Sequence, residues 1–429
     1  MVLRVPGGGR LRPTGARRPA RLQRRTVLAL VAAVALAGTT VAAILLVSSA
    51  GHVHARSAGG PTPSATSAPS TPAITAGSTA PPPTTVPPTS APPAGFVPWS
   101  FTAISPTQWW LLGSTPCGPS LCLAVVTTDD GGRSFRSVGA PGGSFLPTRP
   151  DDAVADQVRF ADADDGWAFG PELYATHDGG RTWNRISLPG TVLSLEPGLG
   201  KVYAVVDDVC HAASCPSNPT PAIWTTSPSS DEWAVDPAGT AVSGGLAVHG
   251  RSVWVMNAQR TPDGPAVGFG LLHSSDGGTT FSLEPQPVPG IECTYSPVSD
   301  AVVWAYCSGG HFMFAYRSTD AGTSFVPLDT QTSGPASPEA LANGSTLEAA
   351  TPMTAVAAGD LPGEPLVRTS DGGASWSIVA EPPSASGNWA VIGFTTPTVG
   401  YVFWEPGANQ RQLWRTTDGG VAWSPVQGV

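Results

Sequence analysis

One short segment, repeated at a nearly constant interval, limits what this chain can fold into more than any other feature. Thr128-Asp129-Asp130-Gly131-Gly132-Arg133-Ser134-Phe135 returns as Thr176-His177-Asp178-Gly179-Gly180-Arg181-Thr182-Trp183 and as Ser274-Ser275-Asp276-Gly277-Gly278-Thr279-Thr280-Phe281. Three more copies are centred on Asp320, Asp371 and Asp418 and close on Phe325, Trp376 and Trp423. The gap after the second copy holds a degraded one, which starts at Thr225-Thr226-Ser227-Pro228 and ends at Trp233. Counted from each first Thr or Ser, the spacings are 48, 49, 49, 44, 51 and 47 residues. A strand-rich repeat of this length marks a propeller, one blade per copy.

The chemistry of the segment predicts a tight turn. An Asp side chain accepts hydrogen bonds from backbone N–H groups just after it, and Asp-Gly suits positive φ in a hairpin. Carboxylates spread over separate blades cannot converge on one substrate, so Asp130, Asp178, Asp276, Asp320, Asp371 and Asp418 are expected to be structural. Before each turn lies an apolar segment such as Leu121–Val126 or Phe312–Tyr316. Some twenty residues further upstream is another, such as Trp109–Leu112 or Tyr401–Trp404. With one strand earlier and one after the turn, each repeat makes four antiparallel strands. Residues 97–429 then accommodate seven blades of about 48 residues. Composition agrees: 50 Gly and 46 Pro with only 12% charged residues exclude helical bundles and coiled coils.

The N-terminal part reads differently. Residues 1–25 hold eight arginines and no acidic residue, and residues 26–48 form a 23-residue run without charge. That length spans a bilayer, and the flanking arginines keep the N-terminus cytoplasmic. The expectation is a basic cytoplasmic tail (1–25), a single transmembrane helix (26–48) and an extracytoplasmic remainder. A cleaved secretory signal is the rival reading, and Arg24-Arg25 in its local context resembles a twin-arginine export signal. Residues 49–96 are a Pro/Ser/Thr-rich linker, uncharged over 57–95, which is expected to be disordered. If extended, those 39 residues reach on the order of 120 Å at ~3.1 Å each. Beyond residue 25 the chain carries 14 basic against 31 acidic side chains, a formal −17, which argues against nucleic-acid binding.

The repeats resemble BNR/Asp-box repeats over nearly all of 97–429. Such repeats occur in sialidases, some xyloglucan hydrolases, sortilin-type receptors and photosystem II assembly-factor propellers. The motif is specific for the hairpin and unspecific for activity. Seven blades on one chain most resemble the assembly-factor type, which implies a non-enzymatic binding platform. The expected function is therefore a membrane-anchored, monomeric propeller that binds an envelope protein or glycan without a cofactor. A sialidase-like or other Asp-box glycoside hydrolase is the alternative. Arg185-Ile186-Ser187 departs from the sialidase Arg-Ile-Pro motif and follows an Asp box. No catalytic or metal-binding residue is assigned. The acidic stretch Asp162–Gly166 reads as a strand-connecting turn, with a surface calcium site as the rival.

Six cysteines fall into three local pairs, Cys117/Cys122, Cys210/Cys215 and Cys293/Cys307. An exported domain favours disulfides between near neighbours, although six cysteines permit fifteen pairings. A zinc site at Cys210, His211 and Cys215 is the weaker alternative. The first two pairs are expected to close loops between second and third strands, and the third to tie the first two strands of blade 5. Segments Gly113–Ser120, Asp207–Pro221 and Asn257–Phe269 read as long loops opposite the repeated turns, and hence as the binding face.

Overall fold

The computed structural model describes residues 91–146, 153–207, 222–240, 242–260, 266–289, 291–309, 312–328, 344–359, 361–407 and 410–429. The basic tail, the 26–48 run, most of the linker, Asp151, Asp152, Cys210, His211 and Cys215 lie outside them. Among the described residues no helix is long and apolar enough to cross a membrane.

Seven antiparallel sheets follow one another along the chain. Blade 1 consists of β1 (Val97–Ala103), β2 (Trp109–Cys117), β3 (Ser120–Thr128) and β4 (Arg136–Val138), with β5 (Ser144–Phe145) added against β3. Blade 2 contains β6 (Gln157–Phe160), β7 (Asp165–Phe169), β8 (Leu173–His177) and β9 (Asn184–Ile186). Blade 3 contains β10 (Thr191–Pro197), β11 (Val202–Asp207), β12 (Ala222–Thr226) and β13 (Ala234–Thr240). Blade 4 contains β14 (Val242–His249), β15 (Ser252–Arg260), β16 (Ala266–Ser274) and β17 (Ser282–Glu284). Blade 5 contains β18 (Glu292–Pro297), β19 (Val303–Gly309), β20 (Phe312–Ser318) and β21 (Val326–Pro327). Blade 6 contains β22 (Gly344–Ala349), β23 (Ala355–Gly359), β24 (Leu366–Thr369) and β25 (Ser377–Ala380). Blade 7 contains β26 (Asn388–Phe394), β27 (Gly400–Gly407), β28 (Gln410–Thr416) and β29 (Ser424–Pro425). The protein is thus an all-β, seven-bladed propeller of four-stranded blades.

The second strands show why the blades stack. Both faces of a blade are covered, so these strands are apolar at consecutive positions, and the period of two sorts side chains between two neighbours. On β2, Trp109 and Leu111 pack with Tyr401, Phe403 and Leu413 of blade 7. Trp110 and Leu112 pack with Val158, Phe160 and Trp183 of blade 2. The same division recurs on β19, where Trp304 and Tyr306 face blade 6 while Val303 and Ala305 face blade 4. Seven buried apolar clusters result, one at each seam between blades.

Each blade comes from consecutive strands, so no strand is exchanged where blade 7 meets blade 1. The ring closes there by packing, with Phe101 against Tyr401 at 4.4 Å between ring centroids. Arg411 also donates to the Trp99 carbonyl at 2.9 Å. Phe96 before β1 and Val426 and Val429 after β29 rest on this one cluster.

Two expected loops turn out to be strand. Residues 113–120 continue the β2/β3 ladder to Cys117↔Ser120, leaving only Gly118 and Pro119 as the turn. Residues 257–260 and 266–269 likewise continue β15/β16. Gly, Pro, Ser and Cys in 113–120 weaken strand propensity, but the ladder and a two-residue turn with Gly118 at φ +73° override it. Protruding two-stranded ribbons therefore replace flexible loops on this face. The counterpart in blade 3 lies largely outside the described residues.

Candidate functional site

The six complete repeated turns join third to fourth strands and share one geometry. In blade 2, Asp178 accepts from the Thr176 hydroxyl (2.9 Å), the Thr182 N–H (2.9 Å) and the Thr182 hydroxyl (2.7 Å). Thr176 Oγ1 accepts in turn from the Gly180 N–H (2.9 Å). Asp130, Asp276, Asp320 and Asp371 repeat the pattern, while at Asp418 Ala422 leaves only the backbone bond. The two positions after each Asp have positive φ, and blade 5 places Ala321 there at φ +64°. The first of them donates to the turn between first and second strands, as Gly179 N–H does to Asp164 O (2.9 Å). These carboxylates therefore stay ionised far into acid. The Ser375 hydroxyl, against slight burial, holds Asp371 at about 2. Ser134 and Thr280 hold Asp130 and Asp276 well below the usual carboxylate range.

The same turns also join neighbouring blades. The carbonyl of the first positive-φ residue accepts a donor from the preceding blade at five junctions. These bonds are Trp110 Nε1 to Gly179 O (3.3 Å), Lys201 Nζ to Gly277 O (3.0 Å), Trp254 Nε1 to Ala321 O (2.9 Å), Arg368 Nε to Gly419 O (2.7 Å) and Arg415 to Gly131 O (2.8 Å). At the junction of blades 5 and 6, Arg317 donates to Pro352 O (3.2 Å). Blade 3 has lost the Gly-Gly turn, and a different link stands there. His177 of blade 2 bonds Asp165 of its own blade (2.6 Å) and Asp231 of blade 3 (3.1 Å). Partial burial pushes the imidazole down, but the two carboxylates outweigh it and raise its pKa.

Toward the axis, the first strands carry polar side chains that no repeat announces in the sequence. Ser100 and Thr102 of β1 accept from the N–H groups of Val158 and Phe160 (3.1 and 3.2 Å). Arg159 of β6 and Glu196 of β10 form a buried pair at 3.5 Å. Ser296 of β18 donates to Glu348 of β22 and accepts from the Ala349 N–H at 3.0 Å. First strands of adjacent blades share no ladder, so these side chains supply hydrogen bonds across the seams. A cavity of about 390 Å³ opens beside them, lined by residues of blades 3 to 7 that include Glu196, His249, Ser296 and Glu348.

The remaining sites are accounted for locally. Asp162 accepts from the N–H groups of Asp164 and Asp165 (2.9 and 2.8 Å), as a turn does. Arg185 lies on the outermost strand of blade 2, paired with Glu172 at 3.0 Å. Cys117 bonds Cys122 at the base of the blade 1 turn, and Cys293 bonds Cys307 across β18 and β19. Among the described residues no cluster of three His, Cys, Asp or Glu side chains is arranged to hold a metal ion.

The ribbon face offers a different surface. The second and third strands pair out to Cys117↔Ser120 in blade 1, Arg260↔Ala266 in blade 4, Gly309↔Phe312 in blade 5 and Gly407↔Gln410 in blade 7. In blades 2 and 6 the pairing ends sooner, at Ala168↔Tyr174 and Ala358↔Leu366. Long ribbons thus rise from the ring at unequal heights, presenting backbone edges on rigid supports.

No family model matches the chain, and no curated protein matches it. Solved structures do. YCF48 bound to a D1 peptide aligns at 17% identity with a TM-score of 0.50, over 77% of this chain and 96% of that one. The β-propeller domain of the Trilobed protease from Pyrococcus furiosus, described as having an open velcro topology, aligns at 11% identity with a TM-score of 0.52, over 77% and 98%. An acylaminoacyl peptidase of Pyrococcus horikoshii aligns at 10% identity with a TM-score of 0.50, over 78% of this chain and 53% of that one. At these identities the likeness is one of fold.

Proposed function

We propose that this protein is a non-enzymatic binding or assembly platform, held outside the cytoplasm by an N-terminal membrane helix, whose ligand is a protein of the cell envelope. The observation that carries the reading is the ribbon face: stiff two-stranded projections on a ring whose seven seams are all packed. YCF48, a propeller of like fold, holds a D1 peptide, which supports a protein ligand over a glycan. The shared geometry of the turns at Asp130, Asp178, Asp276, Asp320, Asp371 and Asp418 supports reading them as Asp boxes. Eight arginines before 23 uncharged residues support the anchor. Full-length protein should enrich a discrete envelope protein in pull-downs read by mass spectrometry. Recovery no better than from bait-free resin would overturn the reading.

A second reading, glycoside hydrolysis, draws on Glu196 and Glu348 lining one cavity. Both are at least nine-tenths buried and bonded across seams, which favours a structural role. Turnover of aryl glycosides that disappears in Glu348→Gln, with melting unchanged, would establish the enzyme instead.

A further inference from the structure

Blade 1 shows how one of these ribbons is covered. Its outer edge, on β3, is paired with β4 as far as Val125↔Val138, then with β5 through Cys122↔Ser144 and Leu121↔Phe145. β5 is a two-residue piece of extended chain. Its Phe145 is 5% exposed and lies 5.4 Å from the Trp99 ring. A short segment adding to a third strand and burying one aromatic ring is therefore already present in the molecule.

Blade 5 has the same ribbon without the cover. β20 pairs with β21 only at Tyr316↔Pro327 and Arg317↔Val326, after which Leu328 N–H reaches Ala315 O at 3.0 Å. Among the described residues nothing pairs with the outer edge of Phe312–Phe314. In an antiparallel strand the N–H and C=O of one residue point to one edge and alternate along the chain. The bond to Ala315 O therefore fixes both groups of Met313 outward. The edge sequence Phe312-Met313-Phe314-Ala315 carries no charge or proline, the usual protections of an edge. Phe314 and Val326 are 36% and 64% exposed. The other ribbons are guarded. In blade 4, Gln286 Nε2 donates to Gly270 O at 3.3 Å and Pro285, Pro287 and Pro289 follow the fourth strand. Blade 7 presents Gln410, Arg411 and Gln412.

We infer that the outer edge of β20 in blade 5 captures an extended segment of another protein by strand addition, with alternate apolar side chains and cationic flanks. The inference rests on the platform reading and names the chemistry of its ligand. β5 on β3 supplies the template, since main-chain bonds give affinity and alternate side chains give selectivity. A second copy of the chain is disfavoured because each body carries a formal −17, and the same charge attracts a basic segment.

The test uses full-length protein in detergent and a fluorescent decapeptide of alternating Phe and Ser with Lys at both ends. Binding should saturate, weaken at least tenfold when alternate peptide nitrogens are methylated, and weaken comparably in Phe314→Asn, whose exposed position spares the fold. Amide exchange at Met313 should slow at least tenfold in the complex. Equal affinity of the methylated peptide, or unchanged exchange at Met313, overturns the inference. So does a dimer in sedimentation that Phe314→Asn dissolves, which would make a second copy the occupant. An envelope partner captured equally by wild type and Phe314→Asn leaves the platform standing and removes this edge from it. If wild type captures no partner at all, the platform itself fails.

Discussion

At the scale of single residues, the repeated turn explains both the acid behaviour and a weak spot. Asp371 titrates near 2 in the fold against ~3.9 in an unfolded chain. A lowered pKa stabilises fully above the unfolded value and is lost as pH falls through the folded one. Melting temperature should therefore drop more steeply from about pH 4 to about pH 2 in wild type than in Asp371→Asn. Equal slopes would assign the acid limb to other groups. His177 works in the opposite direction. Its raised pKa gives stability that is complete below ~6.5 and lost as pH rises through the folded value. Against His177→Gln, wild type should lose its advantage on the alkaline side of neutrality, and a parallel pair of melting curves would exclude the link. Ala321 holds a left-handed conformation that costs an L-residue about 1–2 kcal/mol, partly offset by the greater unfolded freedom of Gly. Ala321→Gly should stabilise the protein by about 0.5–1 kcal/mol, read from the urea midpoint.

At the scale of strands and hairpins, the two described disulfides do different work. Cys293 and Cys307 are buried within blade 5, 14 residues apart, whereas Cys117 and Cys122 are five apart across a turn the ladder already closes. The double variant Cys293→Ala with Cys307→Ala should cost about 2–4 kcal/mol in chemical denaturation. The equivalent pair at Cys117 and Cys122 should cost clearly less, and the reverse order would contradict this account. Element boundaries were also where sequence was hardest to interpret. Third strands stood out because each runs into an Asp-Gly turn. The ribbons did not, because Gly113-Ser114-Thr115-Pro116 has the composition of a loop and is strand only through its partner Leu121–Ala124. The axial network left no signature for a different reason. Arg159, Glu196, Ser296 and Glu348 come from four different blades, and no local spacing brings them together.

At the scale of the whole molecule, blade number and order were legible because a propeller repeats one solution. Seven turn copies count the blades, and alternation on each second strand assigns side chains to the two flanking seams. What the repeats conceal is how the ring shuts. The first and last blades meet only through side chains, around Phe101, Trp109, Tyr401 and Phe403, with Phe96 and Val429 resting on that same cluster. Covalent order and spatial order are therefore separable. A circular permutant that joins residue 429 to residue 91 through a short Gly/Ser bridge, and opens between Pro285 and Val288, would leave every blade built from uninterrupted sequence. It should refold to the wild-type circular dichroism spectrum and melt within a few degrees of the parent. Failure of this permutant, beside a well-folded one opened elsewhere, would mean that the 4–5 connection guides assembly. Success would mean that the starting point of the chain is a matter of where the stalk enters and that the circle itself has no beginning.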